Sequence, residues 1–210
     1  MKKSICVGII VIASLAQPAS SECVLIPDAQ GIGTPHLVED SAPVLIEPAF
    51  EDYMFMLFDA CEAAGLSLEN GCDIYPMMGD ISAGAVAALC EGNKVIVYNR
   101  RLSREIGYAG AQAALAHELG HHACGHFRQP TNSVRDQQLR EAEADAFAGA
   151  VMRKLGFSAE AALGYQSVLG QGATHSHPSK LTRLGVISAG WLQPDEAFKC
   201  NRVDRMLSEE

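Results

Sequence analysis

Apolar positions from residue 49 onward recur mostly at helical spacing. Phe50, Met54, Leu57, Phe58 and Cys61 lie three and four apart, which predicts a helix over Ala49–Gly65 that Gly65 stops. Residues 66–80 show no period and read as irregular. Ala83–Leu89 and Lys94–Asn99 flank the turn Glu91-Gly92-Asn93. The run Val95-Ile96-Val97-Tyr98 is β-branched and aromatic, so a hairpin is expected there. Ala109–Gly125, rich in Ala and Leu, predicts a second helix. A third begins near Asn132 or Ser133, either of which can cap it, and runs to about Leu155 before Gly156. Ser158 can cap a short fourth helix to about Leu169. A Gly/His/Pro segment over 170–178 precedes one or two C-terminal helices around Lys180–Leu184 and Asp195–Leu207. Ahead of all this, Pro27, Gly31, Gly33, Pro35, Pro43 and Pro48 make residues 23–48 read as an extended arm or loop. The expected class is α+β, mostly helical, with a small antiparallel sheet.

The first residues follow a different rule. Lys2 and Lys3 precede a 12-residue apolar stretch, Ile5–Ala16, and then small residues at Ala16, Ala19, Ser20 and Ser21. A membrane-spanning helix needs roughly 20 apolar residues, so the pattern is that of a signal peptide. Residues 1–22 are expected to be that signal, cleaved after Ala16, Ala19 or Ser21, and residues 23–210 one folded domain. Six cysteines then remain (Cys23, Cys61, Cys72, Cys90, Cys124, Cys200), an even number compatible with disulfides in an exported protein. Their pairing is open, and Cys124, beside the candidate site below, is a thiol that could stay reduced. No paired CxxC motifs point to a cysteine zinc ribbon. Loss of Lys2 and Lys3 leaves 14 basic against 25 acidic residues, a balance that argues against nucleic acid or anionic lipid as partner.

Candidate chemistry centres on His117-Glu118-Leu119-Gly120-His121. Positions four apart on a helix differ by about 40° and share a face, so both imidazoles can address one zinc ion. Glu118, beside the first ligand, can take a proton from an activated water. A third ligand is needed. His126 fails the metzincin spacing by one residue and, on a continuous helix, lies about 180° from His117. His126 and His122 are therefore expected to be outer-layer, packing or exposed residues. Glu141, on the next helix, can complete the set, with Asp145 four residues on to hydrogen-bond the free N–H of a ligand histidine. Glu143 falls off that face and is expected to be solvated.

HELGH followed by Glu141-Ala-Glu-Ala-Asp145 resembles the HtpX-type and BepA-type zinc peptidases, gluzincins whose wider family includes the CAAX prenyl proteases. Thr174-His175-Ser176-His177-Pro178-Ser179 with Arg183-Leu184 resembles a further segment of that family, as does Gly92–Leu102. The likeness spans about Gly84–Leu184. It implies a gluzincin metallopeptidase fold, one zinc ion per chain on His117, His121 and Glu141, and Glu118 as base. It also implies that Val95–Tyr98 is an edge strand along which a peptide adds, and that His177 or Arg183 polarises the scissile carbonyl or stabilises its oxyanion. The chain has no transmembrane helices after the signal and is too short for a helical-repeat domain, so it resembles the small exported members; an asparagine-containing segment expected near Gly84–Ala88 is missing.

The function expected is zinc-dependent endopeptidase action on protein substrates, unfolded or damaged envelope proteins in a bacterial periplasm. Nucleic acid and stable membrane insertion after signal cleavage are not expected. Two alternatives differ in class: a zinc-stabilised chaperone-like or binding module whose site is latent, with His175 or His177 as a fourth ligand, and a zinc amidase acting on cell-wall peptides.

Overall fold

The computed structural model describes residues 22–39, 41–128, 131, 133–165, 172, 174, 176–201 and 203. The segment before Glu22, expected to be a signal, His175, and the distal parts of the expected fourth and last helices lie outside them. Six strands, β1 (Glu22–Pro27), β2 (Gly33–Glu39), β3 (Ala42–Pro48), β4 (Ile74–Gly79), β5 (Ala85–Cys90) and β6 (Asn93–Asn99), close into one barrel in the order β1-β2-β3-β4-β6-β5. The barrel is mixed: β4 pairs with β6, and β1 with β5, in parallel. This overturns the expected fold class. The small antiparallel sheet of a gluzincin fold is replaced by a closed mixed barrel with helices packed outside it.

The physical reason lies in residues 23–48. Their prolines, which cannot donate to a ladder, argued for a loop. In the barrel Pro27 and Pro48 end β1 and β3, and the alternation around Pro35 and Pro43 still sends Leu37 and Ile46 inward to full burial. The irregular reading of residues 66–80 is corrected in the same way. β4 gains its ladder from a strand some twenty residues away, with Ile74 opposite Lys94 and Gly79 opposite Asn99, and no local period reports that pairing. The hairpin β5–β6 stands as expected, closed at Glu91-Gly92 with both residues in the left-handed region.

β6 is buried on both faces. Val95 and Val97 join Leu37, Ile46, Ile81 and Ala88 inside the barrel, whereas Ile96 and Tyr98 pack outward on the helices. An uninterrupted apolar run is what such a central strand requires. Val95–Tyr98 is therefore flanked by β4 and β5 and is not an edge, contrary to expectation.

The helices are α1 (Glu51–Ala63), α2 (Leu102–Ala123), α3 (Val134–Lys154), α4 (Ala159–Ala162), α5 (Lys180–Leu192) and α6 (Pro194–Ala197). α2 begins earlier than its Ala-rich stretch and kinks at Gly107, whose φ is 73°. Ser133 caps α3 and Ser158 caps α4 through their hydroxyls. α5 runs past Leu184 to Leu192 because Val186, Ile187 and Ala189 continue its buried face.

Tyr53, Met56 and Leu57 of α1, Leu115 and Leu119 of α2 and Phe147 and Val151 of α3 form the main core against the outer face of the barrel. Small residues let the helices approach. A Cβ on Gly120 would stand 3.0 Å from Ala144 Cα, and one on Gly190 would meet Ala146 O at 2.0 Å. Three disulfides fasten the layers: Cys23–Cys90 across the β1–β5 closure, Cys61–Cys72 from α1 to the approach to β4, and Cys124–Cys200 from the end of α2 to the C-terminal segment. Cys124 is thus bonded, not a free thiol. Among the described residues no helix is long and apolar enough to cross a membrane.

Candidate metal centre

α2 and α3 pack through the Gly120–Ala144 contact, and that approach brings Glu141 over the helix carrying His117 and His121. Donor atoms of His117, His121 and Glu141 lie within 4.8 Å of one another. The Nε2 atoms of the two histidines are 3.2 Å apart, and Glu141 reaches them at 3.3 Å (Oε2 to His117) and 3.5 Å (Oε1 to His121). Ligand atoms about 2.1 Å from a tetrahedral ion stand about 3.4 Å from each other, so the spacing fits a metal such as zinc. Glu141 Oε2 is also buried without a hydrogen-bond partner, the condition a cation would relieve.

Charge points the same way. Burial works to lower the pKa of His117, but Asp145 and Glu141 outweigh it and raise it to about 10. Burial holds His121 down to about 3. Glu141 lies well below the usual carboxylate range: burial opposes this, but His121, His117 and His177 prevail. Glu141 and Asp145 thus draw positive charge into the pocket, the electrostatics a cation there would share.

Glu118 sits on the same helix turn. Burial raises its pKa, and its Oε2 accepts the Ala87 N–H of β5 at 2.6 Å. Among the described residues β5 pairs with β1 only at Leu89 and Cys90, so Ala85–Ala88 has no strand on that side. Among the described residues, this stretch of β5 without a strand neighbour is the one beside the site, its Ala87 N–H held by Glu118.

Behind the ligands, Asp145 is fully buried. Its carboxylate accepts Arg183 Nε at 2.7 Å, Arg183 Nη2 at 2.8 Å and the Tyr165 hydroxyl at 2.5 Å. His117 Nδ1 lies 2.9 Å from Asp145 Oδ1, an ion-pair contact without hydrogen-bond alignment. Arg183 is 4% exposed and gives Asp145 two hydrogen bonds, so it is a support for Asp145. His177 is at the rim, its Nε2 3.1 Å from Glu141 Oε2 and its Nδ1 2.8 Å from Ser176 Oγ.

His122 is a packing residue, one of the alternatives expected for it, whereas His126 and Glu143 do not lie where helix spacing put them. His122 is buried, its Nε2 donating to the Val95 carbonyl at 2.9 Å. His126 does not lie on the opposite face of a continuous helix. α2 ends at Ala123, Gly125 turns left-handed with φ 70°, and His126 N–H returns to the His121 carbonyl while Gly125 N–H bonds that of His122. This Schellman closure carries the His126 ring back to His121. Glu143, expected in solvent, is 5% exposed and pairs with His126 at 2.9 Å. Gly125 was the available signal for this reversal; nothing in the spacing marks Tyr165 as a partner of Asp145.

A family model described as the IrrE N-terminal-like domain, Peptidase_M78, matches residues 73–167. The match runs from β4 through α4 and takes in both helices of the centre, but not α5 with Arg183. The chain is therefore similar to a metallopeptidase-type family, a coarser likeness than the HtpX, BepA and prenyl protease resemblance. No curated protein and no solved structure matches the chain.

Proposed function

We propose that the chain is a zinc-dependent endopeptidase, with His117, His121 and Glu141 as metal ligands and Glu118 as general base. The convergence of those three side chains within 4.8 Å carries this reading. Two imidazoles and one carboxylate are the donor set of catalytic zinc sites that keep a fourth position open. Bound there, zinc supplies Lewis-acid chemistry, acidifying a water towards a pKa of about 7 and polarising a carbonyl. Glu118 receives the proton of the attacking water. Its Oε2 is held by Ala87 N–H, which leaves Oε1 for that proton, and burial makes it a stronger base than an exposed carboxylate. Glu118 then returns the proton to the leaving amine. We assign His177, at the rim, to donate to the carbonyl oxygen as charge develops there, a role that requires its Nε2 to leave Glu141.

The substrate is an extended peptide that adds to the Ala85–Ala88 edge of β5. Strand addition requires an unstructured segment, which favours unfolded proteins as substrates. The three disulfides support an oxidising compartment, and we place the protein in a bacterial periplasm after signal cleavage. The contact of His177 with Glu141 favours one second reading, a latent site that binds zinc without turnover.

Zinc content and casein cleavage, measured for the chain from residue 23 and for its Glu118→Gln variant, separate the readings. One zinc in each with cleavage by wild type alone supports the peptidase. Zinc in both and cleavage by neither supports the latent module. A wild-type protein that cleaves a muropeptide but not casein is an amidase.

A further inference from the structure

His121 addresses the metal centre through Nε2, and its other ring nitrogen points away to a second histidine. His121 Nδ1 and His126 Nδ1 are 2.9 Å apart, and His126 Nε2 is 2.9 Å from Glu143 Oε2. Glu143 Oε1 in turn accepts the backbone N–H of Asn201 at 3.0 Å. His126 and Glu143 are both buried, so water does not compete for these contacts. The chain of bonds has one consistent polarity. A carboxylate only accepts, so His126 Nε2 carries a proton and its Nδ1 is the acceptor in the neutral ring. His121 Nδ1 must then donate, which leaves the lone pair of His121 on Nε2, the nitrogen that faces His117 and Glu141.

The far end of this chain is held in an unusual way. Cys200 and Asn201 are consecutive non-glycine residues with φ of 49° and 51°. Such backbone persists only where its surroundings over-determine it. Here the Cys124–Cys200 disulfide ties the segment to the residue that caps α2, two positions before His126. Arg140 Nη1 donates to the His126 carbonyl at 2.8 Å and fixes the same turn.

We propose that His126 and Glu143 are positioning residues that set the tautomer and ring orientation of His121, and that the Cys124–Cys200 disulfide keeps their relay closed. This rests on His121 being a metal ligand. Outer-layer partners of ligand histidines change metal affinity by about 10–100-fold. The relay therefore predicts a defect in metal binding itself, not only in turnover.

The test is zinc competition against a chromophoric chelator, with the visible spectrum of the Co2+-substituted protein as a second readout. His126→Phe keeps the ring and removes the acceptor; His126→Asn restores an acceptor near the Nδ1 position. Zinc binding should weaken about 10–100-fold in His126→Phe, with a changed Co2+ spectrum, and stay within about threefold of wild type in His126→Asn. Glu143→Gln should fall between them. Cys124→Ser/Cys200→Ser should weaken zinc binding but add nothing to His126→Phe, because both break one chain. Melting of each metal-free variant reports whether it is folded. Wild-type affinity in a folded His126→Phe, when His121→Ala has lost binding, overturns the relay and leaves the metal reading standing. Additive losses overturn the role of the disulfide. Absence of zinc binding by wild type, or no effect of His121→Ala, overturns both readings.

Discussion

Arg183→Met should cost the fold far more than the loss of a surface cation. Asp145 is fully buried, and Arg183 gives it two hydrogen bonds at 2.7 and 2.8 Å. Without the guanidinium, the Asp145 carboxylate keeps the Tyr165 hydroxyl and the His117 ring but loses the permanently ionised counter-charge that pairs with it. Breaking a buried pair from one side typically costs about 3–5 kcal/mol, because the other charge stays buried. For a domain of this size each kcal/mol moves the melting temperature by about 2–4 °C, so a fall of about 10 °C is expected. Circular dichroism melts of the metal-free protein measure it. The double variant Arg183→Met/Asp145→Asn removes both charges and should recover part of the loss, and the cycle gives the coupling directly. A melting temperature within about 2 °C of wild type, together with lost peptidase activity, would refute this reasoning. Arg183 would then act on substrate.

Other consequences follow from close packing, burial and the turn after α2. Gly190→Ala places a methyl group 2.0 Å from Ala146 O, so α5 must move off α3; a loss of about 1–3 kcal/mol is expected in urea unfolding. Gly125→Ala forces a left-handed φ of 70° on a side chain; stability should fall by about 1–2 kcal/mol, and zinc affinity should fall with it if the turn places His126. His122 is held by burial at a pKa of about 4, below its ordinary 6.5. Between those values the unfolded chain binds a proton that the folded chain does not, so stability falls as pH drops through that window, by up to about 3 kcal/mol. Urea titrations of the metal-free protein across that range test this, and His122→Gln should flatten the slope. Ala87→Pro removes the N–H that holds Glu118 Oε2; turnover should drop while bound zinc stays at wild-type level, measured by cleavage and metal content.

Those parts of the molecule written in local spacing were legible in the sequence. The i, i+4 pairs His117/His121 and Glu141/Asp145 needed only helical geometry to share a face, and the hairpin β5–β6 needed only its turn and its β-branched run. What tertiary structure decided was everything that joins distant segments. Closure of the barrel depends on parallel pairing of β1 with β5 and β4 with β6, which no local pattern encodes, and it turned the apolar run Val95–Tyr98 from an edge into a centre. The ligand set itself needed Gly120 against Ala144 to bring two helices together. His126 came round to His121 and Glu143 left solvent for one physical reason. Side chains that look peripheral along a helix become buried partners once a left-handed turn, a disulfide or a second helix closes over them, and a buried charge is stable only where another group answers it.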